Sequence, residues 1–89
     1  MGMVVAILEK HLSGIQVRVY GSRARGKAKP FSDLDLCLMN EQPLSFDQIC
    51  TLMDAFSESD LPFTVDVTQW AVASGEMRRR IEREAVVLL

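Results

Sequence analysis

Tyr20-Gly21-Ser22-Arg23-Ala24-Arg25-Gly26 and, one polar loop later, Ser32-Asp33-Leu34-Asp35-Leu36-Cys37-Leu38 carry most of what this chain discloses. The residues leading into the first segment alternate. Ile15, Val17 and Val19 share one face and Gln16, Arg18 and Tyr20 the other, which predicts a half-buried strand over residues 15–20. Gly21-Ser22 breaks it. Gly21 permits close backbone approach to a ligand. Ser22 is suited to cap a short helix through Arg25, and the positive end of a helix favours phosphate. Arg23 and Arg25 are further anion donors or, equally, arginines kept for solubility. Residues 26–32 read as a polar loop containing Pro30. A second strand follows over residues 34–39, with Leu34, Leu36 and Leu38 on one face and Asp33, Asp35 and Cys37 on the other. Asp33 and Asp35 then lie about 6–7 Å apart along the chain.

Outward from this centre, Val4, Ile7, Leu8 and Leu12 have helical spacing, and a helix is expected over residues 3–13, ended by Gly14. Residues 40–44 make a turn with Pro43. Ser45-Phe46-Asp47-Gln48 is a capping box that opens a helix to about Ser57, with Phe46, Ile49, Cys50, Met53 and Phe56 as its apolar stripe. A third strand is expected over residues 63–70, with Phe63, Val65 and Val67 opposite Thr64, Asp66 and Thr68. Ser74 is placed to cap a last helix through about Val87, its buried stripe being Met77, Ile81, Ala85 and Leu88. The expected fold is α/β: a small mixed sheet of about three strands, helices on one face, and an open face collecting Arg18, Asp33, Asp35 and Asp66. Three carboxylates there repel one another, and a cation resolves the repulsion. Magnesium, which takes oxygen ligands and keeps waters, suits them.

At 89 residues the chain is one domain, spanning 1–89. It buries only about 60–65% of its unfolded surface, so a partner subunit would add stability. A composition 48% hydrophobic and 25% charged excludes an intrinsically disordered chain. No apolar run reaches the roughly 18 residues of a membrane span, and no signal peptide is visible in the first 12 residues, which include Glu9 and Lys10. Two cysteines, Cys37 and Cys50, make no disulfide framework. These features predict a reduced, cytoplasmic protein with no membrane partner. The net charge of −2 argues against a nucleic-acid coat protein, and no direct nucleic-acid binding is expected.

Gly21-Ser22, ten residues, and then Asp33-Leu34-Asp35 resembles the Gly-Ser/Asp-x-Asp signature of the minimal nucleotidyltransferases, or MNT proteins, of the DNA polymerase beta-like superfamily. The resemblance runs from Val17 to about Trp70. The family pattern includes a third carboxylate on a later strand, and Asp66 stands in that place. The resemblance implies a polymerase beta palm-like fold and nucleotidyl transfer, in which a triphosphate is attacked at its alpha phosphorus and pyrophosphate leaves. It implies two magnesium ions, about 3.5–4 Å apart in such sites, with Asp33 and Asp35 ligating both. Asp66 would hold the catalytic one and help deprotonate the incoming hydroxyl. Ser22 and the backbone at Gly21 would hold the terminal phosphates of ATP. Family members are encoded beside a helical HEPN toxin and silence it by transferring AMP to a tyrosine. The implied protein is therefore an adenylyltransferase antitoxin in a hetero-oligomer. The alternatives are a catalytically vestigial antitoxin that acts by contact, and a subunit of a transferase acting on a small molecule. Larger superfamily members add an acceptor-binding domain. With 23 residues after Asp66, the acceptor is expected to come from another subunit.

Other residues read more blandly. A lone Asp-x-Asp is usually a solvated turn. Arg18 either neutralises the aspartates or decorates the strand. Lys27 and Lys29 are loop charges, His11 has no partner motif, and Cys37 is a small filler rather than a nucleophile. Arg78, Arg79 and Arg80, interleaved with Glu76, Glu82 and Glu84, are expected on a solvated helix face. Trp70 belongs to core or interface. Trp70, Val86, Val87, Leu88 and Leu89 are the expected dock points for a partner.

Overall fold

The computed structural model describes residues 2–24, 26 and 33–89. Arg25, Lys27, Lys29 and Pro30 lie outside the described residues. The elements run α1 (Gly2–His11), β1 (Val17–Tyr20), β2 (Leu34–Leu38), α2 (Phe46–Ser57), β3 (Val65–Gln69), a 3-10 turn (Trp70–Val72), α3 (Gly75–Glu84) and β4 (Val86–Val87). The strands form one mixed sheet in the order β3-β2-β1-β4. β1 is antiparallel to both β2 and β4. β2 and β3 are parallel, joined by α2, because parallel neighbours need a crossover and a helix provides it.

The alternating leucines and valines build the main core. Val17, Val19, Leu34, Leu36, Leu38 and Val65 face Val4 and Leu8 of α1 and Leu52 and Phe56 of α2. Both reciprocal bonds of the Ser45 capping box form: the Gln48 amide donates to Ser45 Oγ at 3.1 Å, and the Ser45 amide donates to Gln48 Oε1 at 2.9 Å. The stripe of α2 is rotated from the expected one. Ile49, Leu52 and Phe56 turn inward, and Phe46 is 81% exposed. At 100° per residue Phe46 lies about 80° round the helix from Phe56, beyond the edge of the buried sector.

The expectation of helices on one face only is corrected. Met77 and Ile81 of α3, and Ala85 just after it, pack with Tyr20, Cys37, Met39 and Trp70 in a second cluster. Tyr20 and Cys37 belong to the face that carries Asp35, since directly opposed residues share a face. The helix therefore covers the apolar half of the acidic face and leaves the carboxylate half open. The last helix is also shorter than expected. Ala85 is extended (φ −74°, ψ 146°), and Val86 and Val87 form the fourth strand, opposite Val19 and Arg18. β-branched side chains favour this pleated edge. Leu88 and Leu89 then bond back to Val17 and pack on the main core, so they do not serve as exposed dock points. Val86 and Val87 stay 53% and 61% exposed.

Buried Asn40 ties the far ends of β2 and β3. Its Nδ2 donates to Gln42 O and Gln69 Oε1, both at 2.9 Å, and its Oδ1 accepts from the Ala71 amide at 3.5 Å. A buried amide without these partners would be destabilising by about 1–3 kcal/mol. Among the described residues, no helix is long and apolar enough to cross a membrane.

Candidate active site

The middle strand decides the site. Asp35 lies in β2, opposite Tyr20 of β1 on one side and Asp66 of β3 on the other. Strand periodicity aims all three at one face. Asp33 stands immediately before β2 and is exposed, as is Asp66, while Asp35 is half-buried. Burial pushes the Asp35 carboxyl above the ordinary value of 3.8. The negative charge of Asp66 raises it further, the Arg80 guanidinium pulls it back, and Asp33 adds a smaller push upward. Asp35 therefore feels both neighbouring carboxylates, although Asp66 comes from a strand separated in sequence by α2.

Gly21 closes the site from the β1 side. It is buried with φ +76°, and a Cβ placed on it would stand 2.5 Å from Asp35 Oδ2. The carboxylate fills the space a side chain would need, and the backbone conformation favours glycine independently. The Asp35 carboxylate stands against the side of Gly21 where a Cβ would be. The short helix expected from Ser22 is a turn over residues 22–24, with the Gly26 amide donating to Arg23 O at 3.3 Å. A phosphate would meet a turn here rather than a helix end. Arg23 lies with its guanidinium carbon 4.2 Å from the centre of the Phe63 ring, a cation–π contact that holds it beside the start of β3.

The arginines of α3 depart from the expected solvated face. Arg78 donates to Trp70 O from Nε at 3.1 Å and from Nη2 at 2.8 Å, and to Ala71 O at 3.4 Å. Its guanidinium also lies 5.0 Å from the Trp70 ring centre. Arg78 is therefore a clamp on the 3-10 turn. Arg80 reaches the site side, 5.5 Å from the Tyr20 ring centre. Only Arg79 is an exposed residue of the three. The available signal was spacing: Arg80 is three residues after buried-stripe Met77, on the flank of the apolar sector. Tyr20 was equally unmarked in the sequence. Its hydroxyl pairs with Thr68 Oγ1 at 2.9 Å, spanning from β1 to β3.

Arg18 donates from Nε to Gln16 Oε1 at 2.9 Å and lies opposite Cys37. Burial pushes the Cys37 thiol up to about 11, against a smaller downward pull from Arg18. A thiol so protonated is a filler rather than a nucleophile. Among the described residues, no three His, Cys, Asp or Glu side chains converge closely enough to enclose a metal ion. The donor set still suits magnesium, because that ion is commonly held by one or two carboxylates, substrate phosphates and waters rather than by a closed protein cage.

A mixed sheet with Asp35 beside Asp66 and a Gly-Ser turn against Asp35 fits the nucleotidyltransferase class, and the family match shows that class. The chain belongs to the family "Polymerase beta, Nucleotidyltransferase", whose family model matches residues 3–89. It is 43% identical over 88 residues to the "Probable protein adenylyltransferase MntA" of Haemophilus influenzae, covering 99% of this chain and 77% of that protein. Its fold is shared by a toxin–antitoxin crystallised with AMP-PNP, with a TM-score of 0.82 at 18% identity over 99% of this chain and 71% of the other. The same fold occurs in a complex of tri-AMPylated Shewanella oneidensis HEPN toxin with MNT antitoxin, with a TM-score of 0.74 at 16% identity over 99% of this chain and 67% of the other.

Proposed function

We propose that this chain transfers AMP from ATP to a tyrosine hydroxyl of a HEPN-type toxin and so acts as its antitoxin. The observation that carries the reading is the side-by-side placement of Asp35 and Asp66 on parallel strands, with the Gly21-Ser22 turn against Asp35. The adenylyltransferase name of the Haemophilus influenzae relative supports the reaction, and the HEPN complex supports the partner.

In this reading Asp33, Asp35 and Asp66 hold magnesium, which supplies charge neutralisation at the phosphates when bound. Gly21, Ser22, Arg23 and Arg25 bind the triphosphate, with Arg23 pre-set by its stack on Phe63. The tyrosine oxygen attacks the alpha phosphorus, its proton passes to Asp66, and the bond to pyrophosphate breaks. The chemistry is mainly positioning and charge neutralisation. The partner supplies the acceptor geometry, an effect worth up to about 7–11 kcal/mol. The site's cytoplasmic setting is part of the same proposal, since ATP and two free cysteines, Cys37 and Cys50, belong there.

The test is label transfer from alpha-labelled ATP with and without the cognate toxin, followed by mass spectrometry. Labelled toxin tyrosine is expected only with both proteins and magnesium. The alternative reading is neutralisation of the partner by contact alone. Full toxin silencing by the double variant Asp33→Ala, Asp35→Ala would select it.

A further inference from the structure

The acidic face contains a cation of its own. Arg80 projects from α3 over the ring of Tyr20, and Tyr20 is the cross-strand neighbour of Asp35. The ring beneath it is fixed at both ends. Its body is buried with Cys37 and Ile81, and its hydroxyl pairs with Thr68. Arg80 is also tethered from its own helix, with Nε 3.3 Å from Glu84 Oε2. These contacts pin the guanidinium on the side of the sheet where Asp35 and Asp66 repel each other.

We infer that Arg80 is a positioning residue of the transfer site, a built-in counter-cation that steadies the Asp35–Asp66 pair until a divalent ion takes its place. The inference rests on the reading of these carboxylates as cation ligands. A guanidinium suits the task because it stays charged and stacks on an aromatic face. Glu84 is the ion-pair partner of Arg80, so a metal ion that takes over Asp35 does not strand the arginine without a counter-charge. Arg80 thus opposes metal entry slightly and keeps the metal-free site ordered.

The experiment titrates the full chain with Mn2+, read by electron paramagnetic resonance, in wild type, Arg80→Met, Arg80→Lys, Asp35→Asn and Asp66→Asn. Arg80→Met should bind Mn2+ roughly three- to ten-fold more tightly, the size expected when one positive charge near a divalent ion is removed in a largely aqueous dielectric. Arg80→Lys keeps the charge and should stay near wild type. Melting temperatures should show Arg80→Met weakened without Mn2+ and largely restored with it. Unchanged or weaker Mn2+ affinity in folded Arg80→Met would overturn the counter-cation role. So would an equal loss of melting temperature with and without the ion, which marks a purely structural stack. Wild-type Mn2+ affinity in both aspartate variants would instead remove the cation site itself. If Arg80→Met fails to fold, Arg80→Gln read in the same titration decides by the same criteria.

Discussion

A Cβ on Gly21 would stand 2.5 Å from Oδ2 of Asp35. The carboxylate of β2 therefore fills the space that a side chain on the glycine just after β1 would need, and Gly21 cannot gain a Cβ without displacing it. Gly21→Ala meets both the positive φ and this contact. It should lose about 1–3 kcal/mol of stability by denaturant titration. Label transfer should fall at least roughly 100-fold in the folded fraction, because displacement of a site group by about 1 Å has that effect.

Asp35 carries a penalty for being charged in the metal-free fold. Its folded pKa is raised, so the folded state binds the proton more tightly than the unfolded state does. Stability from this group is present at low pH and is lost as pH rises from the ordinary carboxylate value through the raised one. Metal-free Asp35→Asn should therefore be more stable than wild type at neutral pH and should lack that pH slope, while losing label transfer. Thermal melts from pH 4 to 8 in chelator would show it.

Phe63 holds Arg23 by a stack at 4.2 Å. Phe63→Leu keeps an apolar side chain but removes the π face. An exposed cation–π contact contributes about 0.5–1 kcal/mol. The KM for ATP should accordingly rise about two- to five-fold with kcat nearly unchanged, measured by steady-state label transfer to the partner.

Arg78 secures the turn after β3 through two carbonyls and the Trp70 ring. Arg78→Met should destabilise the fold by about 1.5–3 kcal/mol, the usual range for hydrogen bonds from a charged donor. Mn2+ affinity should not change, since Arg78 does not face the carboxylates. Denaturation and titration on the same sample separate it from Arg80.

The start of α2 offers a paired contrast. Ser45→Ala removes the Ser45 half of the capping box and should destabilise by about 1 kcal/mol. Phe46→Ala, at a side chain 81% exposed, should stay within about 0.5 kcal/mol of wild type. Urea titration of the two variants checks both values.

The sequence by itself determined the local order of this protein. Alternation at Val17 and Val19 and at Leu34, Leu36 and Leu38 specified strands and their buried face, and Ser45 with Gln48 specified where α2 begins. The spacing from Gly21-Ser22 to Asp33 and Asp35 marked the candidate site, since these signals lie within a short stretch of chain. Tertiary structure alone decided what stands beside what. Asp66 became the neighbour of Asp35 through the parallel register of β3, and no local pattern encodes a pairing across a helix. The two-residue β4 is too short for a period to separate it from the end of α3; the free edge of β1 captured it. Arg78 and Arg80, adjacent in a run of arginines, diverged into a structural clamp and a site-facing cation because helical rotation carried them to different neighbours, Trp70 and Tyr20.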